Sequence, residues 1–477
     1  QVQKFAKQAS TPPCATMADP QWVLAREAIN SEADDVEVPH ERINRSFAKR
    51  SFAPMGPGGV RQSIFTLVQT AIGGGVLTIA YMMRLVGLAG GVFLLLNASL
   101  IAVFSMDILM RAAVKKEAST FGELLAACFG ARVQVLLDLA LVFYGMGSMI
   151  AYFIFLGDFL PAIVSAFSGG AIQENGTLRT MCILATLAPI VPLSFPKDLS
   201  ALRYVAPMGI IALLYTAVVV LAKAPGLHSA HLKQSEFGTI ELLNVDWNVF
   251  EAYSVSVFAF NCHMNVCPVA AELQSPTSRR SSKVAFRVVV VQVVFYLIIA
   301  LGGYFSFMVG TTQDLLQSYA SSDSFCLVAR VLLSCALMVG IPTNNNPTVR
   351  AFFGLIDSCS GTPEADVPAR FYPLNREGLR HFVAMCTLGI EVLVAIVVPD
   401  VAIVLGYLGS TVGTLMMMVV PALVMQATLK DQYPVITRQL IVSFLTMCAL
   451  VSAMAIVVLT LQNLGMLEKA NPGIVHK

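Results

Sequence analysis

The sequence predicts an all-helical integral membrane protein, and three observations carry this prediction. The chain has 477 residues, of which 56% are hydrophobic and 13% are charged, and its mean hydropathy is +0.72, whereas soluble domains carry about 25% charged residues. Apolar runs of about 20 residues, the length that crosses a bilayer, recur between residues 62 and 464. Basic residues are concentrated in the short loops between them. We therefore expect one membrane domain rather than several soluble domains.

The lengths of the apolar runs predict eleven spans. The predicted spans are 62–83, 88–113, 132–156, 178–195, 200–222, 247–273, 284–309, 324–357, 379–398, 400–427 and 436–464. Lys and Arg cluster before span 1 and after each even-numbered span. Because positive charge favours cytoplasmic loops, the pattern predicts a cytosolic N-terminus and a C-terminus that is outside the cell or in an organelle lumen.

The segments that flank the spans are polar. Residues 1–58 contain several Pro and Gly residues and lack the apolar core of a signal peptide, so they are predicted to be a disordered cytosolic tail. Met17 is a possible start of the natural chain. Residues 59–465 would form the transmembrane domain and residues 466–477 a short C-terminal tail.

Composition argues against several other classes of protein. A formal net charge of +2 gives no reason to expect a nucleic-acid partner. Most of the ten cysteines lie in apolar runs without metal-ligand spacing, so we expect neither a disulfide framework nor a metal. No nucleophile and base pair is apparent, so we expect no enzyme and no cofactor. The tripeptide "NGT" at Asn175 lies in a predicted outer loop and is a candidate glycosylation site.

Three consecutive glycines interrupt span 1 in "TAIGGGVLTIAYM", residues 70–82. One interpretation is close helix packing, which small residues permit in membranes. At about 100° per residue, however, Gly73, Gly74 and Gly75 cannot all face one neighbouring helix. The other interpretation is a helix that unwinds here, because glycine tolerates non-helical dihedrals. Such a break must be buried in protein or line a cavity.

Span 6 contains a second interruption, in "VFAFNCHMNVCPVAAEL", residues 257–273. A polar cluster from Asn261 to Asn265 is followed by Pro268, which lacks a backbone donor. Interrupted helices in matching positions of two halves indicate a transporter built from inverted repeats, with its substrate site at their interface.

Several segments resemble the amino acid/auxin permease family, which includes the sodium-coupled neutral and the lysosomal amino acid transporters. The segments are "IGGGVLTIAY", "YGMGSMIAYFIFLGDFLP", "PLSFPKDLSALRYVAPMG", "FAFNCHMNVCPVAAEL" and "LGYLGSTVGTLMMMVVPAL". The resemblance covers about residues 60–464 and implies an all-helical, leucine-transporter-type fold, with five plus five inverted helices and an eleventh. Gln69 and Ala80 stand where the family usually has Asn and Pro. That Asn helps bind substrate or ion in sodium-coupled members, so Gln69 would alter the site.

The two breaks suggest how an amino acid would bind. N–H groups near Gly75 would meet its carboxylate, and carbonyls of residues 70–72 and 258–261 would accept from its ammonium. Aromatic side chains would form walls, although aromatic rings in membrane helices also serve ordinary packing. The predicted substrate-binding residues are Gln69, Thr70, Ala71, Ile72, Gly73, Gly74, Gly75, Tyr144, Tyr152, Phe258, Phe260, Asn261, Cys262 and His263.

A coupling ion would need titratable or oxygen-bearing side chains within the spans. Buried ionisable groups in membranes are often functional, and hard cations prefer oxygen ligands. For His263 the alternatives are a proton relay or a neutral ring that bonds freed backbone. The polar segment "PTNNNPTVR", residues 342–350, is interpreted as an irregular inner end of span 8. The ion-coupling candidates are Gln69, Ser334, Thr343, His263, Asp138 and Glu391.

Together these features predict a secondary active transporter of amino acids that works by alternating access and is coupled to H⁺ or Na⁺. It would be a monomer in a lipid bilayer, either the plasma membrane or a vacuolar or lysosomal membrane. Two alternatives remain: an amino-acid-sensing receptor that signals through its N-terminal tail, and a transporter of a related small amine or auxin-like acid.

Overall fold

The computed structural model describes residues 58–130, 132–195, 206–234, 237–274, 276–360 and 376–467. The regular secondary structure of these residues is helical throughout. The two predicted tails lie outside the described residues, apart from Gly58, Met466 and Leu467. The structure therefore bears on the predicted membrane domain and not on the tails.

The described residues form a series of α-helices. They are α1 (Val60–Ala71), α2 (Ile79–Lys116), α3 (Phe121–Phe129), α4 (Arg132–Phe167), α5 (Gly176–Ser194), α6 (Ala206–His231), α7 (Asn248–Ala259), α8 (Val266–Glu272), α9 (Ser278–Phe307), α10 (Ser324–Ser360), α11 (Arg376–Val397), α12 (Val401–Leu408), α13 (Val420–Thr428) and α14 (Val435–Asn463). Two short π-helical segments, Gly409–Gly413 and Leu415–Val419, lie between α12 and α13.

Nine helices in the described part of the chain are long and apolar enough to cross a membrane. One of them, Gly74–Lys116, has 43 residues and would extend about 65 Å at 1.5 Å per residue, twice the hydrocarbon thickness of about 30 Å. By contrast, α7 has 12 residues and α8 has 7, so neither could cross alone.

The long helix α2 bends sharply at Gly87. Gly87 has φ 78° and ψ 172°, a left-handed conformation that favours glycine, and a Cβ there would lie 2.8 Å from the backbone of Leu242. The bend frees helical backbone groups, and the segment before α7 satisfies them. Leu88 and Ala89 donate their N–H groups to the carbonyls of Glu241 and Leu242. The bend is therefore a turn between two helical segments, and hydrogen bonds from the segment before α7 stabilise it.

Both predicted helix breaks are present. After α1 ends at Ala71, the chain is extended at Gly73 and resumes as a 3-10 helix over Gly74–Thr78. After α7 ends at Ala259, a 3-10 turn over His263–Asn265 leads into α8. Pro268 lies in the first turn of α8, where its missing N–H costs nothing, so it starts the second half-helix rather than breaking the first.

The polar segment 342–350 is helical, so the predicted irregular inner end of span 8 is wrong. Helix α10 continues through Pro342 and Pro347 to Ser360. The hydroxyls of Thr343 and Thr348 donate to carbonyls of the preceding turn, at 2.7 and 2.8 Å. Membrane helices tolerate proline where such groups and neighbouring helices satisfy the backbone.

The helices pack so that both breaks lie inside the bundle. Helix α9 packs against α1, α2 and α6, and α10 packs against α4, α5 and α6. Helix α7 lies against α2, α12 and α14. This arrangement encloses the breaks within one continuous hydrophobic core and leaves a cavity between them.

Candidate functional site

A cavity of about 580 Å³ lies between the two helix breaks. Its volume falls within the range of about 300–1,000 Å³ that is typical of small-molecule sites. The break after α1, the break after α7, and faces of α4, α6 and α10 form its walls. Its lining residues include Leu77 and Phe159 as well as Gly209 of α6 and Thr348 of α10.

Nearly all predicted substrate-binding residues line this cavity. Those that do are Gln69, Thr70, Ala71, Ile72, Gly73, Gly74, Gly75, Tyr144, Tyr152, Phe258, Asn261, Cys262 and His263. Phe260 is the exception, because it was predicted to bind substrate but does not line the cavity. Its ring is fully buried and packs edge-on against Tyr296, with ring centroids 4.9 Å apart, because the turn at the end of α7 directs it into the core.

Two of the three glycines serve close packing at the unwound segment. A Cβ on Gly74 would lie 3.0 Å from the Phe155 ring of α4, and a Cβ on Gly75 would lie 3.0 Å from the Phe258 ring of α7. At Gly73 the nearest atom would be 3.8 Å away, and φ is −120°, which other residues also adopt. The chain unwinds as predicted, but Gly74 and Gly75 are needed for space rather than for unusual dihedrals.

Backbone groups at the first break are available to a ligand. Gly74 and Gly75 precede the first hydrogen bond of the 3-10 helix, which Val76 donates to Gly73 at 3.2 Å, so their N–H groups have no partner within that helix. The carbonyls of Gln69 and Thr70 lack their usual i+4 donors, because the chain has left the helix by residue 73. Donors and acceptors thus lie within a few residues of each other.

Tyr296 of α9 connects the two breaks. Its hydroxyl lies 2.6 Å from the carbonyl oxygen of Ala259 and 3.2 Å from that of Ala71, the last residues of α7 and α1. The side chain is almost fully buried. Both carbonyls are thereby engaged by the protein, as is that of Phe258, which accepts from the Asn261 N–H at 3.0 Å. Fewer carbonyls than predicted are therefore free for an ammonium group.

The second break presents a side-chain amide to the cavity. The side-chain oxygen Oδ1 of Asn261 accepts from the His263 backbone N–H at 3.3 Å. The Nδ2 atom of Asn261 has no hydrogen-bond partner among the described residues. His263 is fully buried, and its Nε2 lies 2.6 Å from the hydroxyl of Ser105 on α2. The His263 ring is therefore held by α2, whereas Asn261 offers the cavity an unused donor.

Aromatic side chains form two walls. The rings of Tyr144 and Phe258 lie against each other with centroids 6.1 Å apart. The Tyr152 ring packs on Gly340 of α10, where a Cβ would be 3.2 Å from it, and its hydroxyl interacts with the Asn344 side chain. Ring packing and cavity lining therefore occur together at these residues.

Several lining residues were not expected from the sequence. Asn344, Pro347 and Thr348 belong to the polar segment of α10, whose run of asparagines was the available signal. Phe155 and Leu405 carry no such signal, because an apolar side chain in a membrane helix has many roles. Lining residues that the sequence did not indicate include Phe155, Asn344, Pro347, Thr348 and Leu405.

The described residues that line the cavity include no Asp, Glu, Lys or Arg. Polar contacts must therefore come from backbone dipoles, amides and hydroxyls. Because an unpaired charge is costly to bury, this lining suits a ligand whose own charges cancel.

The ion-coupling candidates divide into two groups. Gln69, Thr343 and His263 line the cavity, whereas Ser334, Asp138 and Glu391 do not. The carboxylate oxygens of Glu391 and the hydroxyl of Ser334 are buried and have no hydrogen-bond partner among the described residues. Asp138 is half-buried, beside Gly354 of α10.

Asn175 caps a helix. Its side-chain oxygen accepts from the Leu178 N–H at 2.7 Å, at the start of α5, and the residue is exposed. The cap uses Oδ1 and leaves Nδ2, the atom that would carry a glycan, unused by it. Glycosylation here stays a prediction.

Three named relatives share extended similarity with this chain. A Toxoplasma gondii protein named as an amino acid transporter, AAT1, is 33% identical over 341 residues, covering 72% of this chain and 46% of the relative. Vacuolar amino acid transporter 6 of Saccharomyces cerevisiae is 25% identical, covering 76% and 89%. Sodium-coupled neutral amino acid transporter 7 of Danio rerio is 25% identical, covering 80% and 84%. The chain spans about half the length of the Toxoplasma relative.

The fold is similar to that of MhsT, whose crystal structure was determined in complex with L-phenylalanine. The TM-score is 0.53 at 12% sequence identity, with 83% of this chain and 98% of MhsT covered. The family model for transmembrane amino acid transporter proteins matches residues 56–464. This match covers most of the described helices and both breaks, and so the chain is a multi-pass membrane protein that belongs to the transmembrane amino acid transporter family.

Proposed function

We propose that the protein carries neutral amino acids across a membrane by alternating access, as a secondary active transporter. The observation that carries this proposal is the cavity between two broken helices, which combines free backbone donors and acceptors with an uncharged lining. The printed names of the relatives and the L-phenylalanine bound to MhsT agree with an amino acid substrate.

The substrate would be held by its main-chain groups. Its carboxylate would accept from the N–H groups of Gly74 and Gly75, at the positive end of the second half-helix, and from Nδ2 of Asn261. Its ammonium would donate to the carbonyls of Gln69 and Thr70. The side chain would then lie toward Tyr144 and Phe258, whose rings favour an apolar group.

We infer eleven crossings arranged as five plus five inverted helices with an eleventh. The bend at Gly87 would divide the 43-residue helical stretch between the first two crossings, and α7 with α8 would form the sixth. The basic loops support a cytosolic N-terminus. In this orientation the cavity extends toward the cytosol, because Gly209 and Thr348 lie in the inner halves of α6 and α10.

Coupling to H⁺ or Na⁺ is the second part of the proposal. Gln69 and Thr343 offer oxygen atoms in the cavity, which suits a cation. Glu391, buried without a partner among the described residues, suits a proton, because an isolated carboxylate in such a place is costly unless neutral. Glu391→Gln should then abolish net proton movement with the substrate and leave sodium dependence unchanged.

Analogue competition tests the proposed binding mode. Uptake of a labelled neutral amino acid would be measured in proteoliposomes against an excess of its amine analogue, which lacks the carboxylate, and of its acid analogue, which lacks the ammonium. The intact amino acid should compete and neither analogue should. Equal competition by the acid analogue would instead favour an auxin-like substrate, and equal competition by the amine would favour a small-amine transporter.

A further inference from the structure

The loop between α9 and α10 packs against elements that line the cavity. This outer loop, residues 311–323, contains a 3-10 turn over Leu315–Ser318 that packs against α4 and against the 3-10 helix of the first break. Leu315 and Leu316 are fully buried. The loop therefore contacts the element that would hold the substrate carboxylate.

Two arginines hold the backbone of the outer loop. Arg330 of α10 donates to the carbonyls of Leu316 and Tyr319 at 2.8 and 2.7 Å. Arg84 of α2 donates to the carbonyl of Thr311 at 3.0 Å. Their N–H groups are directed to carbonyl oxygens, so these contacts do not depend on a carboxylate partner.

Asp314 occupies the centre of the outer loop and is 1% exposed. One carboxylate oxygen accepts from the Leu316 N–H at 3.1 Å and caps the 3-10 turn. The other oxygen, Oδ2, is buried and has no hydrogen-bond partner among the described residues. A carboxylate that is half satisfied in this way is costly to keep ionised.

A second carboxylate faces Asp314 from α4. Asp158 interacts electrostatically with Asp314, and its oxygen lies 3.4 Å from Nε of Arg179, with 9% of its side chain exposed. Its side chain also bonds Gln317 of the outer loop. The pair thus links the loop to α4, the helix whose Phe155 and Phe159 line the cavity.

Burial raises the pKa of Asp314 well above its usual range, and the charge of Asp158 raises it further. The Leu316 N–H and Arg330 act in the opposite direction but do not reverse the shift. Among the other groups around the pair, Arg179 of α5 is bound to Asp158, and Asp400 before α12 interacts with Asp158 unfavourably. Tyr81 of α2 interacts with Gln313 of the loop.

We propose that the Asp158–Asp314 pair binds one proton from the outer solution, and that this proton locks the outer loop over the cavity. The proposal rests on the proposed transport function, because the loop acts as a gate only if a substrate passes beneath it. When the loop opens, the proton returns to the side from which it came. Outer pH would therefore control the rate of the cycle without adding a proton to each substrate carried.

The direction of the pH effect follows from linkage. In the open loop, Asp314 would be solvated, with a pKa near 3.9, whereas in the closed loop its pKa is raised. Protonation therefore stabilises the closed loop at low pH, and this stabilisation is lost as the pH rises from about 3.9 through the raised value. Acid closes the loop and alkali opens it.

Hydrogen exchange tests the lock without requiring transport. Amide exchange of residues 311–323 would be followed by mass spectrometry in lipid nanodiscs at several pH values and corrected for the intrinsic pH dependence of exchange. The opening constant of the loop should rise with pH, by at most tenfold per unit for one linked proton. Segment 241–244, which is hydrogen-bonded to the bend at Gly87, is the control, and its opening constant should not depend on pH.

Two variants make the test specific. Asp314→Asn keeps an oxygen for the Leu316 N–H but cannot titrate. Its opening constant should therefore rise with pH less steeply than that of the wild-type protein, because only Asp158 of the pair can still bind a proton. Asp323→Asn is the matched control in the same loop, because Asp323 pairs with Lys223 at 2.5 Å and should stay ionised. It should loosen the loop at every pH and keep the wild-type slope.

A flat profile in the wild-type protein, or a wild-type slope in Asp314→Asn, would overturn the proposal. Because neither result depends on flux, a protein with the proton lock but without amino acid uptake would instead refute the proposed function. The remaining test of the mechanism is stoichiometry. If a pH-sensitive dye shows that Asp314→Asn abolishes net proton movement with the substrate, the pair is a coupling site and the rate-control proposal is wrong.

Discussion

Gly74 and Gly75 lie where two aromatic rings approach the backbone of the first break. Phe155 and Phe258 can lie this close only because Gly74 and Gly75 have no side chains. A Cβ at either glycine would lie 3.0 Å from a ring carbon. Overpacking of this kind costs about 1–3 kcal/mol. These two glycines therefore fix the position of the cavity wall relative to the backbone donors.

We predict that Gly74→Ala lowers uptake roughly tenfold or more, because Phe155 must move or the break must shift. Gly73→Ala is the matched control, with no atom nearer than 3.8 Å to its new Cβ, and should retain near-normal uptake. Both variants would be assayed in proteoliposomes at equal protein content. Equal activity of the two variants would contradict the packing explanation.

Tyr296 is the residue whose role was least visible in the sequence. An isolated tyrosine in an apolar span is typical of packing, and its bonds to Ala71 and Ala259 depend on the position that α9 takes against both breaks. The glycine run and the "NCHMN" cluster, in contrast, conflict locally with a helix, so they could be identified without the fold. A segment that conflicts with helix formation can be recognised in the sequence, whereas the distant residues that a side chain contacts cannot.

We predict that Tyr296→Phe lowers thermal stability, by about 1–3 kcal/mol for the buried carbonyl left without a donor, and raises the KM for substrate. Tyr304→Phe is the control, because that hydroxyl contacts Glu241, in the segment before α7, and should not change KM. An unchanged KM in Tyr296→Phe would show that the connection between the breaks is structural only.

At the scale of elements, the helix breaks and most spans could be predicted from the sequence. The effect of the prolines on the helices that contain them could not. Pro268 was expected to interrupt span 6, yet it begins α8. The polar segment 342–350, which contains Pro342 and Pro347, was expected to be an irregular end of span 8, yet α10 continues through it. Buried hydroxyls and neighbouring helices provide the bonds that allow this, and those neighbours are unknown from one sequence.

A cluster around Asp107 connects three elements at the end of the bundle where α2 ends. The carboxylate of Asp107 accepts from Arg111 of α2 at 3.0 Å, from Ser282 of α9 at 2.7 Å and from Tyr433, which precedes α14, at 2.6 Å. Burial raises the pKa of Tyr433, as does the charge of Asp107. Tyr433 therefore stays a donor throughout the physiological pH range.

We predict that Tyr433→Phe destabilises the protein by about 1.5–3 kcal/mol, the value of a hydrogen bond to a charged group. The loss should be equal at neutral and mildly alkaline pH, because the tyrosine does not ionise there. Tyr407→Phe, which removes an exposed contact with Thr460, should change stability by less than about 0.5 kcal/mol. Thermal unfolding in detergent checks both, and equal losses would contradict the assigned role of the cluster.

At the scale of the whole molecule, the two breaks come from segments nearly 190 residues apart and meet at one cavity. Neither segment could bind an amino acid alone, because the proposed donors lie at both breaks and the acceptors at the first. The uncharged lining arises only when α4, α6 and α10 assemble around the breaks. The composition of the cavity wall could not be predicted from the sequence, because it depends on which helix faces point into the cavity.

Selectivity follows from this lining. We predict that neutral amino acids are carried and that lysine and glutamate are carried at least tenfold less efficiently, because their side-chain charges would find no partner among the described lining residues. Competition of each amino acid against a labelled neutral substrate measures this ratio. Efficient transport of lysine or glutamate would contradict the inferred binding mode.

The most direct test of the central claim is amino acid flux through the purified protein. Saturable uptake into proteoliposomes would be measured across a panel of amino acids, with sodium replaced and with pH varied on each side. Saturable uptake of neutral amino acids, strongly reduced by Gly74→Ala and retained by Gly73→Ala, is the predicted result. Absence of saturable uptake for every amino acid under every gradient would contradict the proposal that this protein is an amino acid transporter.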